Sequence, residues 1–389
     1  MAELRRRGHS AYLVGGCVRD LLMGRAPKDF DVATSARPDE VVRMFPGSGL
    51  VGAHFGVVLV RNGSEQVEVA TYRSDHDYRD GRHPDLVLFE TNPQADVERR
   101  DFTINALLMD PESGEVLDFV GGRDDLRAGV VRTVGDPRRR FAEDHLRMLR
   151  AVRFAARFGF ALDPATLAAI RELRSAVRAV SAERVNGELS RILTEGGGRR
   201  GVGLLEESGL LGEILPEVVP LAAVTLDMLG LMERPTVTLA MAVLLRSSTA
   251  PDDIMARFRY SNDEIARVAA LVANRRRFKD VAMMSQGELK RFLRMDGFDE
   301  HLELHRLECA ASGDSLGTWM LVSAKLRETP TEALWPPRLV TGDDLVAEGL
   351  KPGPEFKRLL EMVETAQLNG CVSDREGALA LVRREVHCG

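Results

Sequence analysis

The 389-residue sequence is poor in cysteine, has no long apolar run and carries no surplus of basic residues. Its 4 cysteines are scattered without a CxxC pair, so neither a disulfide framework nor a zinc knuckle is indicated. No run reaches the ~18 uncharged apolar residues of a membrane span, and the first residues lack a signal-peptide core. We therefore expect a protein of the reducing cytoplasm that contacts no membrane. The 53 basic and 59 acidic residues exclude a uniformly basic coat, but they still allow a local basic stripe.

The chain changes character near residue 140. Before this point, short β-branched segments alternate with turns, which predicts strands of one sheet with short helices between them. The predicted strands are 12–14, 30–34, 57–60, 67–70, 116–119 and 130–134. After it, Leu, Ala, Arg and Glu recur at helical spacing, which predicts a helical arm without strands of comparable strength. The Gly/Arg-rich segment 196–203 predicts a break between helices.

The segment KDFDVAT, residues 28–34, places Asp29 and Asp31 two positions apart in a predicted strand. Successive strand side chains alternate between faces, so both carboxylates should project to one side while Phe30 and Val32 point into the core. Adjacent carboxylates suit Mg²⁺, which keeps water and takes its other ligands from phosphates. Two such ions can hold both the attacking and the leaving oxygen of a phosphoryl transfer.

A pair of glycines precedes a predicted helix in the same region. Gly15 and Gly16 lead into this helix, and small residues at a helix start let backbone N–H groups approach a phosphate. Arg19, in the first turn, can clamp a phosphate through two hydrogen bonds. Neither the glycine pair nor the carboxylate pair is specific alone, but together they form GGxVRDxLxGRxxxDxD.

This combined segment resembles the signature of class II tRNA nucleotidyltransferases and bacterial poly(A) polymerases, within the polymerase-β-like nucleotidyltransferases. The resemblance continues in ERRDFTINALLMD (98–110), FAEDHLRMLRAVRFAARFGF (141–160) and VSAERVNGELSRIL (180–193). It implies an α+β fold, in which a catalytic nucleotidyltransferase head with a mixed sheet precedes an all-helical neck, body and tail. The implied parts are the head 1–140, the neck 141–215, the body 216–328 and the RNA-binding tail 329–389.

A row of arginines follows Glu143 and Asp144 in a predicted helix over 141–158. The arginines recur every three or four positions and therefore share one helix face. They are Arg147, Arg150, Arg153 and Arg157. The alternative is a solvated basic face, but the preceding carboxylates and the adjacent head favour a binding role.

The resemblance implies that Asp144 and Arg147 read the incoming base. A carboxylate can accept a hydrogen bond from the amino group of cytosine or adenine, and an arginine can donate to the neighbouring ring nitrogen. Guanine and uracil place a carbonyl at the amino position, and each buried unpaired group costs ~1–3 kcal/mol. The further implied roles are Gly16 and Arg19 at the triphosphate, Arg100 at the triphosphate or sugar, and Arg150 and Arg153 at the base, sugar or triphosphate.

Other features allow a structural interpretation. Glu68 is either a third metal carboxylate or an exposed strand residue, and Asn105 is either a site residue or a cap. Arg184 and Glu188 predict an ion pair along one helix. The polar segment 71–88 predicts a hairpin or loop beside the site; in the resembled family, such a loop helps the switch from C to A and is shortened in enzymes that add only C.

The C-terminal half contains two further patterns. A concentration of basic residues predicts either an RNA-backbone groove or a solvated helix face. These residues are Arg275, Arg276, Arg277, Lys279, Lys290, Arg291 and Arg294. The segment HLELH, 301–305, lacks the HExxH pattern and therefore predicts a plain helix surface.

The resemblance predicts a Mg²⁺-dependent enzyme, with two ions held by Asp29 and Asp31, in which an RNA 3′-hydroxyl attacks CTP or ATP and pyrophosphate leaves. The expected acceptor is the acceptor end and elbow of tRNA, and the expected product is its CCA end; no protein partner can be inferred. The motifs do not separate CCA addition from addition of the terminal A alone or from poly(A) synthesis, although HFGVV (54–58) favours the tRNA enzymes. An inactive RNA-binding scaffold is the alternative from another class, and the intact carboxylate pair argues against it.

Overall fold

The computed structural model describes residues 1–50, 56–62, 65–76 and 86–388. The chain forms two compact units. The first comprises Met1–Gly230, Arg234–Val237 and Arg257–Tyr260, and the second comprises Leu231–Glu233, Thr238–Ala256 and Ser261–Gly389. The predicted head and neck lie in the first unit and the predicted tail in the second. The finer division into four parts stays a prediction.

The first unit contains the strands and helices that build the head and neck. The strands are β1 (Ala11–Val14), β2 (Asp31–Thr34), β3 (Gly49–Leu50), β4 (Val57–Asn62), β5 (Glu65–Thr71), β6 (Arg73–His76), β7 (Leu86–Phe89), β8 (Leu108–Met109), β9 (Val116–Leu117), β10 (Val130–Val131) and β11 (Ala161–Leu162). The helices are α1 (Ala2–Arg6), α2 (Gly16–Leu22), α3 (Pro38–Met44), α4 (Pro93–Glu98), α5 (Gly122–Ala128), α6 (Pro137–Glu143), α7 (Leu146–Phe158), α8 (Pro164–Leu173), α9 (Ala182–Thr194), α10 (Gly198–Glu207), α11 (Leu210–Ile214) and α12 (Ala223–Gly230). Short 3₁₀ turns occupy Thr103–Asn105, Arg174–Ala179 and Pro216–Val218.

A mixed sheet organises the head. Its strand order is β3-β4-β5-β2-β1-β8-β9; β2 and β5 run parallel, and the other neighbours are antiparallel. Leu4 of α1, Val18 of α2 and Val41 of α3 are buried in one core cluster with Val32 of β2. The mixed-sheet head followed by helices is therefore confirmed. Its central strand β2 packs against α1, α2 and α3 through this core.

Two strand predictions differ from the structure. The segment 130–134 does not join the main sheet, because β10 pairs in parallel with β11 in a separate two-stranded sheet. The strand β11 lies after residue 140 and escaped notice because it is only 2 residues long. Within 71–88, β6 and β7 form the predicted antiparallel hairpin, while residues 77–85 lie outside the described part of the chain.

Two helix predictions are also wrong in detail. The predicted helix 141–158 is divided into α6 and α7, because Asp144 adopts an extended backbone with φ −151° and ψ 106°. Its Oδ1 accepts a hydrogen bond from the N–H of Leu146 (3.1 Å), at the start of α7. The predicted break 196–203 is largely helical, since α10 begins at Gly198. Gly201 serves packing rather than a turn, because a Cβ there would lie 2.4 Å from Ile192 of α9.

The second unit is helical in its described part. Its helices are α13 (Val237–Leu244), α14 (Pro251–Arg257), α15 (Asn262–Asn274), α16 (Gln286–Leu293), α17 (Phe298–Ser312), α18 (Gly317–Glu328), α19 (Thr331–Leu334), α20 (Gly342–Ala347), α21 (Pro354–Leu368) and α22 (Arg375–Cys388), with a 3₁₀ segment at Arg275–Met283. His301 on α17 is 2% exposed, so the predicted plain helix surface is wrong for this residue. Among the described residues, no helix combines the length and apolar character needed to cross a membrane.

Candidate active site

The strand β2 begins with Asp31, and its parallel register sets Asp31 opposite Glu68 on β5. Asp29 lies just before the strand and is exposed. Phe30 is 44% exposed, so the expectation that it points into the core is wrong; the residue lies before the strand, which begins at Asp31. Burial raises the pKa of Asp31, the carboxylates of Glu68 and Asp29 raise it further, and Arg100 opposes the shift.

Burial is the main cause of the raised pKa of Asp31, and the carboxylates of Glu68 and Asp29 add repulsion at this end of β2. A bound cation would relieve that repulsion. No group of three or more His, Cys, Asp or Glu side chains that could hold a metal occurs within the described residues. The carboxylates therefore fit a hard cation only if phosphate and water complete its coordination, which is the coordination that Mg²⁺ prefers.

The turn between β1 and α2 brings a guanidinium close to the backbone. Gly15 has φ 78°, a conformation that favours glycine. Its N–H donates to the carbonyl of Leu107 (3.1 Å), and a Cβ there would lie 3.2 Å from Nη1 of Arg100. The glycine therefore leaves room for Arg100 beside the first turn of α2, next to Gly16.

Arg19 on α2 is held in place by its neighbours. It is 4% exposed, and its Nη2 lies 2.7 Å from Oδ1 of Asp20. Its Nη1 donates to Oδ1 of Asn105, whose Nδ2 in turn donates to Oδ1 of Asp101 (3.2 Å). Burial lowers the pKa of Arg19, and Asp20 counteracts part of this effect. Asn105 therefore connects two charged side chains of the site instead of capping a helix.

A buried carboxylate that the sequence interpretation missed orients Arg100. Asp96 on α4 is 0% exposed. Its Oδ2 accepts from Nη2 of Arg100 (2.8 Å), and its Oδ1 accepts from Nη2 of Arg99 (2.6 Å). Burial by itself would raise the pKa of Asp96, but Arg100 and Arg99 outweigh it and lower the pKa. Asp96 precedes Arg99 and Arg100 by three and four residues, and this spacing was the sequence signal for both ion pairs.

Arg150 of α7 donates two hydrogen bonds to one carboxylate oxygen of Asp101. Its Nε and Nη2 lie 2.9 and 2.7 Å from Oδ2 of the carboxylate. Burial favours the protonated acid, but Arg150 outweighs it and, together with Arg147 and Asn105, holds the pKa of Asp101 at about 2. These hydrogen bonds fix the side chain of Arg150 beside Asp101.

The neck helix α9 contributes partners to the site. Glu188 accepts from Nε of Arg153 at 2.6 Å, and Arg184 donates from Nη2 to Oδ2 of Asp144 at 2.8 Å. The predicted ion pair between Arg184 and Glu188 is therefore wrong, because both side chains reach across to the α6–α7 segment.

Arg147 is positioned by three oxygen atoms. Its Nη1 donates to Oε2 of Glu143 (2.8 Å) and to the carbonyl of Arg140 (3.1 Å). Its Nη2 donates to the carbonyl of Arg99 (3.3 Å). Asp144 and Arg147 are thus held by separate partners, and both line the cavity described next.

One cavity of about 470 Å³ collects these side chains. Its lining residues are Gly15, Gly16, Arg19, Asp31, Arg99, Arg100, Asp101, Asn105, Asp144, Arg147, Arg150, Arg153, Phe154 and Arg157. Every predicted site residue except Asp29 is among them, and the arginines of α7 share one face as predicted. Arginines outnumber carboxylates in the wall, so the cavity suits a polyanion such as a triphosphate.

Comparisons with known proteins agree with this arrangement. The Poly A polymerase head domain matches residues 11–132, and the probable RNA and SrmB-binding site of polymerase A matches residues 159–221. The CCA-adding enzyme of Lactobacillus delbrueckii subsp. bulgaricus is 33% identical over 388 residues, which cover 98% of this chain and 95% of the relative. The chain belongs to the family of CCA-adding enzymes and poly(A) polymerases.

Other family members differ in how much of the chain they match. The Geobacillus stearothermophilus CCA-adding enzyme is 44% identical over 208 residues, 54% of this chain, and the match spans about half of that relative (51%). A crystal structure of the Bacillus stearothermophilus CCA-adding enzyme in complex with CTP has a TM-score of 0.82 and 31% identity, and covers 99% of this chain and 96% of that one.

The basic residues of the second unit are partly paired. Nη2 atoms of Arg291 and Arg294 lie 3.0 and 2.7 Å from carboxylate oxygens of Glu364 on α21, and Arg275 lies 3.0 Å from Glu308. These contacts connect helices within the unit. The family's RNA-binding groove in this basic segment stays a prediction.

Proposed function

We propose that the protein is a template-independent nucleotidyltransferase that adds C and A to the 3′ end of tRNA. The substrates would be CTP and ATP, with release of pyrophosphate. The observation that carries this proposal is the cavity itself. Asp31 at the start of β2, Arg100 and the pair Asp144 and Arg147 all line it. A relative that is 31% identical over nearly the whole chain forms a complex with CTP.

The arginines would bind the triphosphate. Arg100 is oriented by Asp96 and Arg150 by Asp101, so each guanidinium is fixed before the nucleotide enters. Preorganised cations lose little freedom on binding and can stabilise charge that develops on the α-phosphate and the leaving pyrophosphate. Gly15 and Gly16 line the same cavity as Arg100, and their small size would let backbone N–H groups approach the phosphates.

Asp144 and Arg147, which line the same cavity, would select the base. Asp144 accepts a hydrogen bond from an amino group, and Arg147 donates to a ring nitrogen. Cytosine and adenine satisfy both residues, whereas uracil and guanine place an acceptor against the carboxylate. This selection needs no nucleic-acid template, because the protein side chains supply the complementary hydrogen bonds.

Asp29 and Asp31, with Glu68 as a third candidate, are the residues that would hold Mg²⁺. When bound there, the metal would neutralise the triphosphate and help the 3′-hydroxyl attack the α-phosphate. The repulsion that the carboxylates of Glu68 and Asp29 exert on Asp31 supports this assignment.

Incorporation assays on three tRNA transcripts test the proposal. The transcripts end before CCA, after C and after CC, and each is offered CTP, ATP or both with Mg²⁺. Growth of the first transcript to a full CCA end, followed by a stop, is the expected result. Addition of A to the CC-ended transcript alone would instead identify an A-adding enzyme, and long A tracts would identify a poly(A) polymerase. Folded protein that incorporates nothing would support the scaffold alternative.

A further inference from the structure

Arg184 contacts the carboxylate of Asp144 from outside the cavity. Its Nη2 lies 2.8 Å from Oδ2 of Asp144, and Arg184 is not among the described residues that line the cavity. The side chains of Arg184 and Asp144 are only 24% and 17% exposed. The contact is therefore a partly buried, charge-assisted hydrogen bond between α9 and the α6–α7 junction, of the kind that is stronger than a neutral one.

The backbone at Asp144 gives this contact its importance. Asp144 lies between two helices in an extended conformation, so no continuous helix fixes its side chain. Its Oδ1 accepts from the N–H of Leu146, and its Oδ2 accepts from Arg184. An ionised carboxylate has about four acceptor positions on its two oxygens. Two of them remain for a ligand, and the two contacts together determine where they point.

We infer that Arg184 is a positioning residue for base selection, which holds the Asp144 carboxylate in the orientation that accepts the amino group of C or A. This inference rests on the proposed function. Without Arg184, the Asp144 carboxylate can rotate. It then discriminates less well between an amino group and a carbonyl on the base. The residue acts through Asp144 and needs no contact with the nucleotide.

The test compares CTP with UTP as substrates for Arg184→Met, which keeps an unbranched, flexible side chain but removes the guanidinium. The ratio of kcat/KM for CTP to that for UTP should fall about tenfold, because a misoriented acceptor no longer penalises the uracil carbonyl. Arg184→Lys retains a cation without the planar fork and should give an intermediate ratio. Arg171→Ala is the matched control, since it removes another interhelical ion pair (Arg171 to Glu207, 3.0 Å) elsewhere in the first unit.

The outcomes separate positioning from structure. An equal loss of kcat/KM for CTP and UTP in Arg184→Met, or an unchanged ratio in folded protein, would overturn the inference while leaving the proposed function intact. If Arg184→Met does not fold, the Arg184→Lys ratio decides, and a wild-type ratio would again overturn the inference. Failure of the wild-type protein to incorporate CTP would overturn the proposed function and this inference with it.

Discussion

Arg153 and Glu188 form a buried ion pair between α7 and α9, with 2.6 Å between Nε and Oε2. Their side chains are 6% and 5% exposed, so each charge is largely shielded from water and depends on the other. Arg153 also lies over the ring of Phe154, with 4.2 Å to the ring centroid. The pair therefore joins the cavity wall to the neck helix.

Glu188→Ala should destabilise the first unit, because it leaves Arg153 buried without its main partner. A loss of ~3–5 kcal/mol in the free energy of unfolding is expected for a broken buried pair. Chemical denaturation of wild type and variant measures it. Glu207→Ala breaks the exposed pair with Arg171, in which both side chains are 51% exposed, and should cost less than ~1 kcal/mol. Equal losses in the two variants would contradict the importance assigned to the buried pair.

Asp31→Asn should abolish nucleotide incorporation without lowering the melting temperature. The pKa of Asp31 is raised by burial and by the carboxylates of Glu68 and Asp29, so a neutral amide relieves repulsion in the folded protein while it removes a metal ligand. Primer extension with Mg²⁺ and a thermal melt measure the two effects. Asp124→Asn changes a carboxylate that is 84% exposed on α5 and should leave both unchanged. Near-normal turnover by folded Asp31→Asn would refute the metal assignment.

Asp144→Ala and Arg147→Ala should each relax the exclusion of UTP and GTP. Each variant removes one of the two groups that distinguish an amino group from a carbonyl, and the loss of ~1–3 kcal/mol of discrimination corresponds to about 5- to 150-fold in relative kcat/KM. Single-nucleotide incorporation with all four nucleoside triphosphates provides the measurement. Intact selection of C and A in both variants would show that other residues read the base.

His301 should make the second unit less stable as the pH falls from about 6.5 to about 4. Burial, reinforced by Arg267, lowers the pKa of His301 from 6.5 to about 4. In this interval the unfolded chain binds a proton that the folded protein does not, so the free energy of unfolding decreases by up to about 3 kcal/mol. Below pH 4 both states are protonated and this group adds no further loss.

Denaturation curves at several pH values test this dependence in wild type and His301→Gln. Between pH 6.5 and 4, the free energy of unfolding should change less steeply with pH in His301→Gln than in wild type. His387→Gln, at an exposed position of α22, serves as the control and should retain the wild-type slope. An identical slope in His301→Gln would show that other groups cause the acid sensitivity.

The candidate site residues came from the resemblance, whose motifs each lie within a short stretch of chain, and their roles stay a prediction. Gly16, Arg19, Arg100 and the arginines of α7 all line the cavity in which the motifs placed them. Their partners were missed, because Asp144 and Arg184 are 40 residues apart and Arg150 and Asp101 are 49 residues apart. Helical spacing reveals only pairs three or four residues apart.

The same limit explains the errors in the fold. Alternation placed Asp29 and Phe30 inside a strand that begins only at Asp31, since one sequence does not show where pairing with β1 and β5 ends. The break between α6 and α7 was invisible because no Gly or Pro marks it. It arises from the conformation of Asp144 and its hydrogen bond to Leu146.

The arginines of α7 limit where residues can be inserted into the chain. Each one meets a carboxylate that lies outside α7. The pairs are Arg147 with Glu143, Arg150 with Asp101, Arg153 with Glu188 and Arg157 with Glu195. Inserting one residue after Arg147 would turn every later side chain by about 100° and separate three of these pairs at once. The length of the helix is therefore fixed by these ion pairs, and insertions or fusions designed into this protein should be placed in its connecting loops.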